Sequence, residues 1–257
     1  MKILALDTAT ASCSAALLLD GRILARERLL EHGHAGHILP MIDEVLAEAG
    51  IGLGALSAIA FGRGPGAFTG VRLAAAVTQG LAFGAGVPVV PVSDLQALAQ
   101  RLLAADGGIA RVVACTDARM REVYWGCFVR RHGLAAPVGA EQLTAPGAIR
   151  LPGDWVRKAH TQVATAAATP STASAAVGGP PEGAWGVGPG FAAYPELRAA
   201  LHTRLDGVRD DLLPRAAEIA TLALPEVEEG RVFLPEQALP VYLRDEVVQV
   251  CAPQSLE

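Results

Sequence analysis

Residues 61–75 read FGRGPGAFTGVRLAA, and four of the first ten are glycine. A glycine-rich turn between a strand and a helix is a common seat for nucleotide phosphates, because backbone N–H groups and the helix dipole both favour an anion there. Two phosphate-binding patterns fail here on spacing. A P-loop requires GxxxxGK[ST], with a lysine for the terminal phosphates. No such lysine follows Gly64, and the next cation, Arg72, falls well inside the expected helix. The dinucleotide pattern GxGxx[GA] is met by Gly62, Gly64 and Ala67. However, Pro65 interrupts the turn, and no acid stands about 20 residues downstream at a strand end; Asp94 is too far along.

A third arrangement is the phosphate hairpin of the actin, hexokinase and Hsp70 architecture, built on an Asp closing a first strand. Asp7-Thr8-Ala9-Thr10 stands at that place. Such a hairpin uses glycine so that backbone amides can approach the phosphate, and this turn offers alanine and β-branched residues instead. The glycine turn therefore reads as backbone geometry that starts a helix with a small-residue face. Gly70, Ala74, Ala75, Ala76, Gly80 and Ala85 would let another helix approach closely.

Other candidates for chemistry are thin. His32, His34 and His37 stand close together, but no cysteine or acid nearby completes a ligand set at metal spacing. No GxSxG and no supported Ser-His-Asp order occurs. Asp117, Arg119 and Glu122 form a polar group after a strand, readable as an ion-paired turn or as part of a docking surface. Cys13, Cys115, Cys127 and Cys251 are scattered without CxxC spacing, as expected of reduced thiols in a cytosolic protein. No metal or cofactor is expected.

The elements that must position these residues follow from periodicity. Ile3–Asp7, Cys13–Leu19 and the run after Asp20-Gly21 read as three strands, the last two joined by a tight hairpin turn. A helix from about Gly36 to Ala49 carries Ile38, Met41, Ile42, Val45 and Leu46 at helical spacing. Pro40 requires it to begin nearby. Strand 56–61, a helix over roughly Thr69–Ala85, strand 87–92 and a helix from Ser93 to about Ala105 follow, with Ser93 as N-cap. The second half repeats the start: RVVACTDARMREVYWGCFVRRHG gives strand, Asp117 in the place of Asp7, turn and strand. After it come WGVGPG, a short helix around 196–201, a helix after Pro214 and the terminal LPVYLRDEV. These elements predict an α/β fold of two duplicated lobes, 1–106 and 107–257. The segment at about 160–183, rich in Ala, Thr, Ser, Gly and Pro, is expected to be a flexible insertion.

Of the 257 residues, 51% are hydrophobic and 18% charged, with a net charge of −5, which argues against a chain that grips nucleic acid alone. Asp7 interrupts the first apolar run too early for a signal peptide. The uncharged stretch 73–93 approaches membrane-span length, but Gly86-Val87-Pro88 breaks it, so a buried helix and strand are expected rather than a membrane span.

Taken in order, ILALDTAT, GPGAFTGVR, VSDLQALA, DARMREVYW, YPEL and YLRD resemble the bacterial TsaB (YeaZ) family over nearly the whole chain outside the insertion. The resemblance implies an actin-like (ASKHA, RNase H-like) two-lobed fold. It implies a non-catalytic scaffold that pairs with TsaD, and with the ATPase TsaE, in forming N6-threonylcarbamoyladenosine at position 37 of ANN-decoding tRNAs in the cytoplasm. TsaD, the catalytic paralogue, carries a metal-binding histidine pair in a segment whose counterpart here is VSDLQAL. Asp94 and Leu98 stand where that pair would be, and leucine cannot ligate a metal. Family members pair through their first two helices, with TsaD or as homodimers when alone. Carried over, the partner residues are His37, Ile38, Met41, Ile42, Val45, Thr69, Arg72, Leu73, Ala76 and Gly80, with tRNA reached only through the complex. Asp117, Arg119 and Glu122 are assigned to the TsaE contact. Departures are modest: Arg63 and Ala67 flank the glycine turn where small residues and a serine are usual. The competing readings are a peptidase-like hydrolase, which needs a nucleophile with its base or a metal, and an actin-fold small-molecule kinase, which needs ATP near Asp7 and Asp117.

Overall fold

The computed structural model describes residues 1–153, 155 and 183–244. Most of the expected insertion, Cys251 and the last residues lie outside the described residues.

Strands β1 (Lys2–Asp7) and β2 (Ser12–Leu19) are almost wholly apolar, because both faces of their sheet are covered. Strand β3 (Arg22–Leu29) follows the Asp20-Gly21 turn, whose two residues both take positive φ (47° and 86°), as a two-residue hairpin requires. Its exposed arginines and Glu27 blunt the sheet edge. Helix α1 (His34–Ala49), strand β4 (Ala58–Gly62), helix α2 (Phe68–Ala85), strand β5 (Val89–Val92) and helix α3 (Asp94–Ala105) complete the first half. Both α1 and α2 stop at left-handed glycines, Gly50 and Gly86. The Ser93 side chain caps α3 by accepting from the Gln96 amide at 3.2 Å.

One boundary differs from expectation. Helix α1 begins at His34, so Pro40 sits in its second turn rather than its first. The bond lost by the missing N–H is to Gly36, and both residues are exposed, where solvent can satisfy the carbonyl.

The second half runs β6 (Arg111–Asp117), β7 (Val123–Arg131), β8 (Leu134–Pro137), β9 (Gln142–Thr144), β10 (Ala184–Val187), α4 (Gly190–Ala193), α5 (Pro195–Leu201), β11 (Leu205–Arg209) and α6 (Ala216–Glu228). The first sheet has the order β3-β2-β1-β4-β5, and the second β8-β7-β6-β10-β11, with β9 added beside β7. Strand senses also match: β1 is antiparallel to β2 and parallel to β4, and β6 is antiparallel to β7 and parallel to β10. The halves are two copies of one α/β design, and the expected α/β fold is observed.

The copies are interlocked by their last helices. Leu95, Leu98 and Leu102 of α3 pack on Val112, Ala114 and Phe128 of the second sheet. Ile219, Ala220 and Ala223 of α6 pack on Ile3, Ala5, Ala60 and Val90 of the first. Helices α1 and α2 cover the other face of the first sheet. Among the described residues, no helix is long and apolar enough to cross a membrane.

Candidate partner-docking face and interlobe site

The glycine turn packs against the chain's own backbone. The Ala67 amide donates to the Ala9 carbonyl at 2.8 Å, and the Thr8 hydroxyl donates to the Gly70 carbonyl at 2.7 Å. A β-carbon on Gly66 would lie 2.6 Å from the Ala9 oxygen, and one on Gly70 would overlap the Thr8 carbonyl. Protein backbone thus fills the space at the N-terminus of α2 that a phosphate would need. The second lobe repeats the device. The pentapeptide GxGPG occurs as Gly62–Gly66 after β4 and as Gly186–Gly190 after β10, the equivalent strand. Gly64 and Gly188 have φ of 100° and 108°, and Gly188 and Gly190 press on Cys115 as Gly66 and Gly70 press on Thr8 and Ala9. The aspartates match too: Asp7 accepts from the Ala9 amide and Asp117 from the Arg119 amide, each at 2.8 Å.

Between the lobes, Asp7 and Asp94 are buried side by side against Gly62, where any β-carbon would collide with both carboxylates. The Gly64 amide donates to Asp94 Oδ2 at 2.5 Å, while Asp7 Oδ2 and Asp94 Oδ1 have no partner from an N–H or hydroxyl donor. Burial raises Asp7 to about 6, against bonds from Ala9 and Asp94 that lower it. Burial, and then the charge and hydrogen bond of Asp7, raise Asp94 well above its ordinary value. Both shifts disfavour a second buried negative charge in this pair. Just outside, Ser93 bonds Glu141, which also lies 3.7 Å from Arg63. Burial pushes Glu141 up as well. The cluster joins the glycine turn to the loop after β8 and is acidic, a poor setting for a nucleotide phosphate.

The expected partner residues divide. Ile38, Met41, Ile42 and Val45 are 0–2% exposed and pack on Leu4, Leu6, Leu17, Ile59 and Phe61. The apolar stripe of α1 is consumed by its own sheet, so these four are core residues and not a free surface, a correction to the sequence-based assignment. Leu73 and His37 are half-buried, and Thr69, Arg72, Ala76 and Gly80 are exposed. Sequence reasoning missed the aromatic members of this face: Phe68 is 51% exposed and Phe83 80%. Both continue the stripe of three- and four-residue steps through Arg72, Ala76 and Gly80, so the signal was present. On α1 the exposed stripe is Gly36, Leu39, Asp43 and Ala47.

The histidines stay apart from one another chemically. His34 Nε2 lies 2.9 Å from the Thr10 carbonyl, fastening α1 to the β1–β2 turn, while His32 is exposed. No group of three His, Cys, Asp or Glu able to hold a metal occurs among the described residues. Asp94 and Leu98 are both buried, and Leu98 brings no donor atom, so these residues do not fit a histidine-type metal site.

The turn of Asp117, Arg119 and Glu122 is brought together as expected. Arg119 Nη1 lies 3.4 Å from Asp117 Oδ2, and the Ala118 amide donates to the Glu122 carbonyl at 3.0 Å. Tyr194 donates to Asp117 at 2.9 Å. Unforeseen is the last described segment. Phe233 pairs with Val89, Gln79 donates to the Ala238 carbonyl at 3.0 Å, and the Val241 amide donates to the Arg63 carbonyl at 2.8 Å. The segment thus runs over α2 and the glycine turn as a strap, and Arg244 then reaches Glu122 in the other lobe at 2.5 Å.

Sequence comparison agrees with this geometry. The chain is 36% identical to the tRNA threonylcarbamoyladenosine biosynthesis protein TsaB of Escherichia coli, covering 96% of each chain. The chain belongs to the TsaB (YeaZ) family. The Haemophilus influenzae member is 37% identical, over 96% of this chain and 95% of that one. YeaZ from Pseudomonas aeruginosa superposes with a TM-score of 0.79 at 40% identity, covering 94% of this chain and 99% of that structure. Residues 28–221 also match the family described as TsaD, tRNA N6-adenosine threonylcarbamoyltransferase. The family's actin-like architecture accounts for the duplicated sheets and their exchanged helices.

Proposed function

We propose that this chain is a non-catalytic subunit of the cytoplasmic assembly that forms N6-threonylcarbamoyladenosine at position 37 of ANN-decoding tRNAs. It docks TsaD through the exposed faces of α1 and α2, forms a homodimer through the same faces when alone, and meets tRNA only through the complex. The Asp117–Glu122 turn is assigned to TsaE. The observation that carries this reading is the stripe of Thr69, Arg72, Ala76, Gly80 and Phe83, which leaves a small-residue, partly aromatic helix face on the surface. Small residues let a second helix approach closely, and exposed aromatics gain most from burial. An interface of ordinary size would cover roughly 800 Å² on each partner. The kinase alternative needs phosphate access beside Asp7, where Thr8 and Ala9 abut α2.

The test is light scattering of the chain alone and mixed with TsaD of the same organism. A one-to-one complex replacing a homodimer is expected, and Ala76→Arg or Gly80→Arg should abolish it. Nothing lies within 4 Å of a β-carbon at Gly80, so that variant should fold normally. A complex that forms unchanged with both folded variants places the interface elsewhere.

A further inference from the structure

Arg72 is the only cation on α2, and it is held unusually firmly for an exposed side chain. Its Nε donates to the Tyr242 hydroxyl at 2.7 Å. Its guanidinium carbon lies 3.4 Å from the centre of the Phe68 ring and 5.4 Å from that of Tyr242. The two rings are themselves 6.0 Å apart and tilted by 38°. No carboxylate among the described residues pairs with it. The side chain is thus fixed by a strap residue that is 170 positions away in sequence, while no described carboxylate compensates its charge.

The guanidinium carries five N–H donors in a rigid fork. With Nε committed to Tyr242, the two terminal nitrogens present an end-on pair of the kind that binds a carboxylate bidentately. Rotamer freedom that docking would normally remove is already gone. The surroundings are those of a binding hot spot: exposed Phe68 and Phe83, with Ala76 and Gly80 low enough for a close approach.

We propose that Arg72, clamped by Tyr242 and Phe68, is a prebuilt receptor for a carboxylate on the protein that docks against α2, and that this pairing selects the partner. The proposal rests on the docking reading above and names the chemistry of its partner. A nucleic-acid backbone fits worse. Phosphate tracking needs several cations, whereas α1 and α2 contribute only Arg72, and α1 exposes Asp43, Glu44 and Glu48. Glu44 and Glu48 are engaged by Arg26 at 3.0 and 2.5 Å.

The experiment is calorimetric titration with TsaD of the same organism at low and high salt, using the wild type, Arg72→Gln, Arg72→Lys and Tyr242→Phe. Arg72→Gln should bind about thirtyfold more weakly or worse and lose most of its salt dependence. Arg72→Lys should keep the salt dependence with part of the affinity. Tyr242→Phe, which keeps the ring and removes only the hydroxyl, should weaken binding by about three- to tenfold. All three variants should remain folded, with Tm within about 2–4 °C of the wild type. Equal affinity of the wild type and Arg72→Gln overturns the receptor and leaves the docking reading standing. No binding by the wild type overturns both. Loss of self-association, or of tRNA binding, in Arg72→Gln with unchanged TsaD affinity also overturns it, in favour of a second copy or a phosphate as occupant.

Discussion

Arg244 donates to Glu122 at 2.5 Å across 122 residues of chain, so the end of the strap is fastened to the second lobe. The same guanidinium donates to the Ala118 carbonyl at 3.2 Å. Two residues earlier, Tyr242 is bonded to Arg72 of the first lobe. The strap therefore links the two surfaces assigned to partners. Arg244 is 15% exposed and Glu122 36%, so solvent screens the pair in part. Arg244→Ala should lower stability by about 1 kcal/mol, or Tm by about 2–4 °C. The more specific expectation is local: the Val241 amide, bonded to the Arg63 carbonyl, should exchange its hydrogen faster while β1 amides do not change. Unaltered exchange at Val241 would show that the strap holds without its latch.

The Asp7–Asp94 pair predicts a pH dependence. Burial raises both carboxyls above their ordinary value of 3.8, Asp7 to about 6. Neighbouring Glu27 adds to the shift at Asp7 and Glu141 to that at Asp94. The folded state thus binds protons more tightly than the unfolded chain. The stability linked to Asp7 is fully present below about pH 4 and is lost as pH rises through about 6, and the raised Asp94 acts in the same direction. Asp94→Asn keeps an acceptor for the Gly64 amide and a donor for Asp7 without the buried acid. Its Tm should fall less than that of the wild type between pH 5 and pH 8.5, ending higher by about 2–4 °C at the upper limit. Thermal melts across that range check it, and a variant curve that falls more steeply would refute the raised Asp94 carboxyl.

Much of this was legible in the sequence, for identifiable reasons. The Asp20-Gly21 turn, the terminal Gly50 and Gly86, and the Ser93 cap mark element ends through local backbone chemistry, so the order of strands and helices could be read directly. The exchange of α3 and α6 could not. The apolar face of a helix says that it will be buried, not against which sheet. The stripe of Ile38, Met41, Ile42 and Val45 was misassigned for the same reason: one helix face cannot serve both its own core and a partner. Asp94 meets Asp7 only because β1 and β4 are adjacent and Gly62 has no side chain, a relation that no spacing along the chain reveals. The second GxGPG was visible, but its equivalence to the first rests on sheet order.

One substitution made at two positions on α2 should give opposite signs. A β-carbon on Gly70 would overlap the Thr8 carbonyl, which belongs to a turn pinned by Ala9 and Asp7 and cannot simply move aside. Gly70→Ala should therefore destabilise by about 1–3 kcal/mol, as overpacking does. At Gly80, in the exposed middle of the helix, nothing lies within 4 Å. Gly80→Ala should stabilise the isolated chain by about 0.5–1 kcal/mol through reduced freedom of the unfolded state. If α2 is the docking face, the same methyl group stands where a partner helix approaches. Gly80→Ala should then weaken association while raising the melting temperature of the unbound protein. Denaturant unfolding and binding measured on the same preparations separate these effects. A gain in both stability and affinity would mean that Gly80 is exposed without being approached.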